Sequence, residues 1–194
     1  MEPLTVAEPE AEIAEARRPD PADPGWPAPG TRLSSGRGRT ITEADLVGFA
    51  SATGDWHPQH VDAAWADASI FGERVAHGMA VLSYSVGLIG FDPERIAALR
   101  ALDGVRFKRP VRVGETISVD AVVRDVRPLE PPLALVTLDW VVRVDGGPAA
   151  IKARVSVIWR GDGRDAAPDA RAPGASEASE ADDIDILYPG GLLL

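Results

Sequence analysis

The spacing of hydrophobic positions along this chain changes character partway through. Between Glu43 and Thr53, Leu46, Phe49 and Ala50 fall at helical spacing, with Thr40 or Thr42 available as N-cap and Glu43 and Asp45 in the first turn. This pattern predicts a helix over 43–53, which Gly54 ends, delivering Asp55 at the exit. Asp62, just ahead of Ala63-Ala64-Trp65-Ala66, reads as the cap of a short second helix, a structural role. From Gly78 to Ile89 there is no charge at all, and a helix that is apolar all round is a buried one. Asp92-Pro93 stops it, and a small helical piece is predicted over 94–100.

From Leu102 onward the period becomes two. Val105, Phe107, Val111 and Val113 alternate with Arg and Lys, and long strands are predicted over 116–126, 133–144 and 149–159. Turn residues separate them at Pro110, Gly114, Pro131-Pro132 and Asp145-Gly146-Gly147. Successive strands joined by short turns predict an antiparallel meander, and another strand over 31–40 precedes the first helix. The class is α+β, with an antiparallel sheet wrapped around one buried central helix.

Length, charge and composition narrow the partners. At 194 residues the chain suits one core with tails. The formal charge of −10 is unevenly spread: residues 1–24 carry seven acidic and two basic side chains, residues 161–194 carry eight and two, and the middle is nearly neutral. The expected organisation is therefore a disordered acidic tail over 1–25, a domain over 26–160, and a largely disordered acidic tail over 161–194 with an apolar end at 184–194. No basic stripe with interleaved aromatics is present, which argues against nucleic acid as a partner. No apolar run reaches the roughly 20 residues of a membrane helix. The absence of cysteine excludes disulfides and thiolate sites, and a cytoplasmic location is the default expectation.

All three histidines lie in two nearby segments, Asp55-Trp56-His57-Pro58-Gln59-His60 and Ala76-His77-Gly78-Met79. Imidazole titrates near neutral pH, so this concentration points to proton transfer. Plainer roles stand beside it. Asp55 after a glycine suits a turn, His77 suits a loop-fixing hydrogen bond, and Ser83 suits a bond back to a helical carbonyl. His57 and His60 are spaced for a metal, yet no cysteine and no histidine beyond the neighbouring loop is left to complete a site, so no metal ligand is assigned. Arg106, Lys108, Arg109 and Arg112 read as a solvated strand face or as a phosphate-binding cluster.

Several ordered pieces together resemble the MaoC-like, or (R)-specific enoyl-CoA hydratase, branch of the hotdog superfamily. They are Thr40-Ile41-Thr42-Glu43-Ala44-Asp45, Thr53-Gly54-Asp55 through His60-Val61-Asp62, Phe71-Gly72 with Val75-Ala76-His77-Gly78-Met79, and Arg106-Phe107-Lys108-Arg109-Pro110-Val111 with Gly114-Glu115-Thr116. The resemblance covers about residues 30–160 and implies a single hotdog domain. The family signature is Asp, any residue, Asn, Pro, any residue, His; Asp55, Pro58 and His60 fit, and His57 stands where Asn is usual.

The resemblance implies (R)-specific hydration or dehydration of an enoyl or 3-hydroxyacyl thioester, with Asp55 and His60 as acid/base pair. Gly78, at the start of the buried helix, would offer its N–H to the thioester oxygen as charge gathers there. His57, His77, Ser83, Arg106, Lys108 and Arg109 are candidate substrate contacts. No cofactor is expected beyond the coenzyme A or phosphopantetheine of the substrate, an acyl carrier protein is a candidate partner, and a homodimer is expected. The His57 substitution keeps open a redirected enzyme that cyclises or isomerises a polyketide-like intermediate. A non-catalytic acyl-binding or assembly subunit is the third reading.

Overall fold

The computed structural model describes residues 25–162. Of the tails expected to be disordered, 1–24 and 163–194 lie outside the described residues. The elements in chain order are β1 (Arg32–Ser34), β2 (Arg39–Thr40), α1 (Glu43–Thr53), α2 (Pro58–Val61), α3 (Ala63–Asp67), α4 (Gly78–Leu88), β3 (Ile96–Phe107), β4 (Thr116–Pro128), β5 (Leu133–Val144) and β6 (Ala149–Arg160). The sheet runs β1-β4-β5-β6-β3, with β2 also paired to β4, and all its pairings are antiparallel.

Strand β5 organises this sheet. Its alternation is unbroken: Ala134, Val136, Leu138, Trp140, Val142 and Val144 are buried, and the intervening residues face outward half-covered. Strict period two lets one face be core and the other surface, so slipping the register by one residue would expose the whole set. Trp140 stands between Ala121 of β4 and Ala153 of β6, two small neighbours that leave room for the indole.

Helix α4 lies on the buried face of the sheet and turns Val81, Leu82, Ser85 and Leu88 into the core. The helix expected to be buried all round is in fact buried on one face, with Met79, Ser83 and Gly87 exposed at intervals of four. A polar peg fixes its seat. Trp140 Nε1 donates to Ser85 Oγ at 3.0 Å, and Ser85 Oγ donates to the Leu82 carbonyl at 2.6 Å, both inside the core. One hydroxyl thereby satisfies an indole that would otherwise be stranded in an apolar interior.

Three expectations are corrected. The strand expected over 31–40 is two short strands, because Gly36 adopts φ 56° and Gly38 packs directly against Thr116, where a Cβ would meet its Cγ2 at 2.5 Å. The helical piece expected over 94–100 is the start of β3, with Ile96, Ala98 and Leu99 opposite Trp159, Ile158 and Val157 of β6. Pairing and burial here override the helix propensity of Ala, Leu and Arg. Finally, β3 does not continue into β4. It lies at the far side of β6, and Val111 and Val113 fall outside strands, in a segment tied in by an isolated bridge between Arg112 and Val75 and by the Ala76 N–H on the Val111 carbonyl.

Among the described residues no helix is long and apolar enough to cross a membrane. The Ser85 peg gives a direct test of the core. Ser85→Ala should lower unfolding free energy by about 1–3 kcal/mol, because the Trp140 N–H loses its acceptor. Ser85→Ala and Trp140→Phe together should cost less than the sum of the two single losses in a denaturant titration, whereas strictly additive losses would show the bond to be immaterial.

Candidate active site

Helix α1 delivers the first site residue. Thr42 and Asp45 form a reciprocal capping box at its start, and Gly54 closes it in the left-handed conformation at φ 77°, its N–H on the Ala50 carbonyl at 2.8 Å. Asp55 follows at once with its side chain about half exposed, Oδ1 accepting from the His57 N–H at 3.3 Å.

The segment expected to be a loop then makes one helical turn, α2. Pro58 suits its first position, and His57 Nδ1 accepts from the Gln59 N–H at 3.2 Å as the cap. Asparagine, usual at this place in the family that the sequence resembles, is a standard N-cap residue, so His57 preserves a structural task. Its ring stands edge-on to Trp65 at 5.3 Å, and His57 is not among the cavity-lining residues. His57 therefore has a capping role, made outside the cavity lining. Asp62 caps α3 as expected, accepting from the Trp65 N–H at 3.0 Å.

His60, on α2, is 5% exposed. Its Nδ1 lies 2.6 Å from the Val75 carbonyl, which can only accept, so Nδ1 carries a proton. In the neutral ring Nε2 then bears the lone pair and accepts from the Gln59 amide at 3.0 Å. Burial holds the His60 pKa below its usual value, opposed by the Val75 bond; His77 lowers it further, Asp55 raises it and His57 lowers it. The ring is therefore kept in the form that can accept a proton.

His77 precedes α4, is 3% exposed, and donates Nε2–H to the Asp55 carbonyl at 3.0 Å. A carboxylate oxygen of Asp55 and a ring nitrogen each of His60 and His77 lie within 4.8 Å of one another. Two hydrogen bonds of about 2.8 Å through one water span about 4.5 Å, so this spacing suits a shared water. It does not suit a shared metal ion. The His60 and His77 rings stack at 3.7 Å and 26°, and planes so nearly parallel do not meet within the roughly 2 Å of a metal–nitrogen bond.

Next to these groups α4 begins, and His77 makes no side-chain cap, leaving its first-turn N–H groups open to a ligand. Gly78 also packs closely against Phe107: a Cβ would stand 2.6 Å from its Cε1, so the ring would have to shift. All of this faces a cavity of about 870 Å³, walled on its apolar side by Phe49, Phe71, Val81, Val111 and Ile151. That size falls in the range of small-molecule sites.

The other sequence candidates divide. Lys108 and Arg109 line the cavity, but Arg109 is held by Glu115 at 2.5 Å, and Arg112 by Glu73 at 2.7 Å. Arg106 is exposed outside the cavity lining, and its Nη1 donates to the neighbouring Val105 carbonyl. Ser83 also lies outside the lining, on the exposed face of α4, donating to the Met79 carbonyl at 2.8 Å. Helical phase accounts for this, since Ser85, two residues on, takes the buried position. Gln59, Phe49 and Val75 were not singled out from the sequence; Phe49 alone carried a signal, its place on the apolar face of α1.

Comparison with known proteins adds lineage to geometry. Residues 26–139 match the family described as MaoC like domain. The chain is 44% identical over 94 residues to Protein MaoC of Klebsiella aerogenes, covering 47% of this chain and 27% of that protein. It is 30% identical over 95 residues to an (R)-specific enoyl-CoA hydratase of Rhodospirillum rubrum, covering 49% and 66%. It thus spans less than two thirds of either relative. A solved structure of a monoamine oxidase regulatory protein from Archaeoglobus fulgius superposes with TM-score 0.64 at 32% identity, covering 69% of this chain and 91% of that one.

The tautomer assigned to His60 is testable without any substrate. Its depressed folded pKa means that the unfolded chain binds this proton more readily, so the group's stabilising contribution is present above the ordinary imidazole value and fades as pH falls through the folded value. In ¹⁵N-histidine spectra at pH 6.5, His60 should be mainly neutral with the proton on Nδ1. A ring more than half protonated at that pH would contradict the assignment.

Proposed function

We propose, because the chain belongs to the MaoC-like domain family, that it is an (R)-specific enoyl-thioester hydratase and, in reverse, a 3-hydroxyacyl-thioester dehydratase. The observation that carries this reading is the Asp55 carboxylate and a nitrogen of the neutral His60 ring within 4.8 Å of each other, facing an apolar cavity beside the uncapped start of α4.

The chemistry follows from that arrangement. Water enters between Asp55 and His60, displacing the Gln59 amide from the Nε2 lone pair. Asp55 accepts one O–H and orients the oxygen. His60 Nε2 takes the other proton as oxygen bonds to C3 of the 2-enoyl thioester. Electron density moves through C2 onto the thioester oxygen, where the Gly78 N–H and the positive end of α4 stabilise it. Collapse of this enolate-like state takes a proton at C2 from His60, and one water has been added with no net change in the protein. No metal or redox cofactor takes part.

The acyl chain lies along the apolar wall. Lys108, at the cavity lining and without an ion pair among the described residues, meets a phosphate of coenzyme A or of carrier-protein phosphopantetheine. The functional unit is a homodimer, since the outer edge of β3 has no strand partner among the described residues and exposes Leu99 and Leu102.

Short and medium (2E)-enoyl-CoA substrates test the reading. The protein should hydrate at least one to the (3R)-hydroxyacyl product, and Asp55→Asn and His60→Ala should each lower kcat/KM by roughly 100- to 10,000-fold. No hydration at any chain length by folded protein would remove the hydratase assignment, and full activity in both variants would remove acid/base catalysis from these residues.

A further inference from the structure

His77 sits where three elements meet. On one side its ring packs on Phe49 of α1, centroids 5.0 Å apart; on the other it stacks on His60 of α2 at 3.7 Å; its own backbone leads into α4. Its Nε2–H bond reaches the carbonyl of Asp55, so one side chain touches both members of the acid/base pair, one by ring face and the other by main chain.

The ring is poorly satisfied for this effort. Nδ1 is buried and has no hydrogen-bond partner. An unmet buried polar atom is destabilising. Phenylalanine would fill a stacking slot without that cost, and glutamine would supply a donor without a ring. A histidine is needed only if both the stack and the donor are used.

We propose that His77 is a positioning residue: its stack on His60 and its bond to the Asp55 carbonyl hold imidazole and carboxylate at the separation that one water spans. The proposal rests on the hydratase reading for its effect on rate, and on geometry alone for its effect on His60. The titratable groups facing His60 are His77 across the stack, Asp55 at the end of α1 and His57 at the cap of α2. Removing His77 takes away a neighbour that disfavours charge on His60, so His60 should then protonate at higher pH.

Two substitutions separate the contributions. His77→Phe keeps a ring and loses the donor; His77→Gln keeps a donor at a similar reach and loses the ring. His77→Phe should keep or raise the melting temperature, lower kcat by roughly 10- to 100-fold as the pair drifts out of register, and leave KM within about twofold. The acid limb of its kcat/KM profile should move to higher pH, and His77→Gln should fall between it and the native protein in kcat. Histidine NMR titration of the free native protein and of His77→Phe supplies a readout independent of turnover, in which the His60 midpoint moves up. Native kcat and an unmoved acid limb in folded His77→Phe would overturn the proposal, as would an unmoved His60 midpoint. If the native protein hydrates no thioester, the hydratase reading fails by itself, and the NMR comparison still decides whether His77 sets the state of His60.

Discussion

The hydrogen bond from His60 Nδ1 to the Val75 carbonyl is the contact on which the site depends. It fixes which nitrogen carries the proton and aims the other along the cavity. Val75 uses its other main-chain group too, donating to the Gln59 carbonyl at 3.2 Å, and Ala76 next to it donates to the Val111 carbonyl at 2.7 Å. A single backbone strip thus binds α2 on one side and the segment after β3 on the other. Because His77 and Gly78 continue that strip, the base, the ring stacked on it and the amide at the start of α4 share one frame.

That frame is stiff because it is founded on the core. Val75, Ala76 and Val111 are buried, and α4 is pinned to the sheet by the Ser85–Trp140 bond and by Val81, Leu82 and Leu88. The same sheet face that removes apolar area from water therefore places the N-terminus of α4. Packing also sets the chemistry. A buried imidazole is costly to charge, so His60 is held neutral with a lone pair available, while the half-exposed Asp55 remains open to water. Two titratable groups a few ångströms apart are given different surroundings, which suits them to different tasks.

Much of this was legible in the chain, where local pattern and tertiary demand agree. The alternation in β5, the capping signals of α1 and α3, and the charge-free run of α4 each describe an element whose neighbours reinforce it. The errors fall where a neighbour overrules the local signal. Residues 96–100 have helix-forming composition and become strand because β6 offers an edge; Ser83 and Ser85 are equivalent until helical phase on the sheet makes one surface and the other core. At the site, sequence brought Asp55, His60 and His77 to notice but could not say that two of them stack. The capping bond of His57, which accepts from the backbone N–H of Gln59, becomes visible only once α2 is known to be a helical turn.

The central claim is that Asp55, His60 and the start of α4 form one water-adding centre. A crystal structure of the protein with a bound (3R)-hydroxyacyl-CoA tests it most directly. The account places the 3-hydroxyl between the Asp55 carboxylate and His60 Nε2, with the thioester oxygen accepting from the Gly78 N–H. A ligand bound with its 3-hydroxyl away from both side chains, or with its thioester oxygen turned from Gly78, would contradict it.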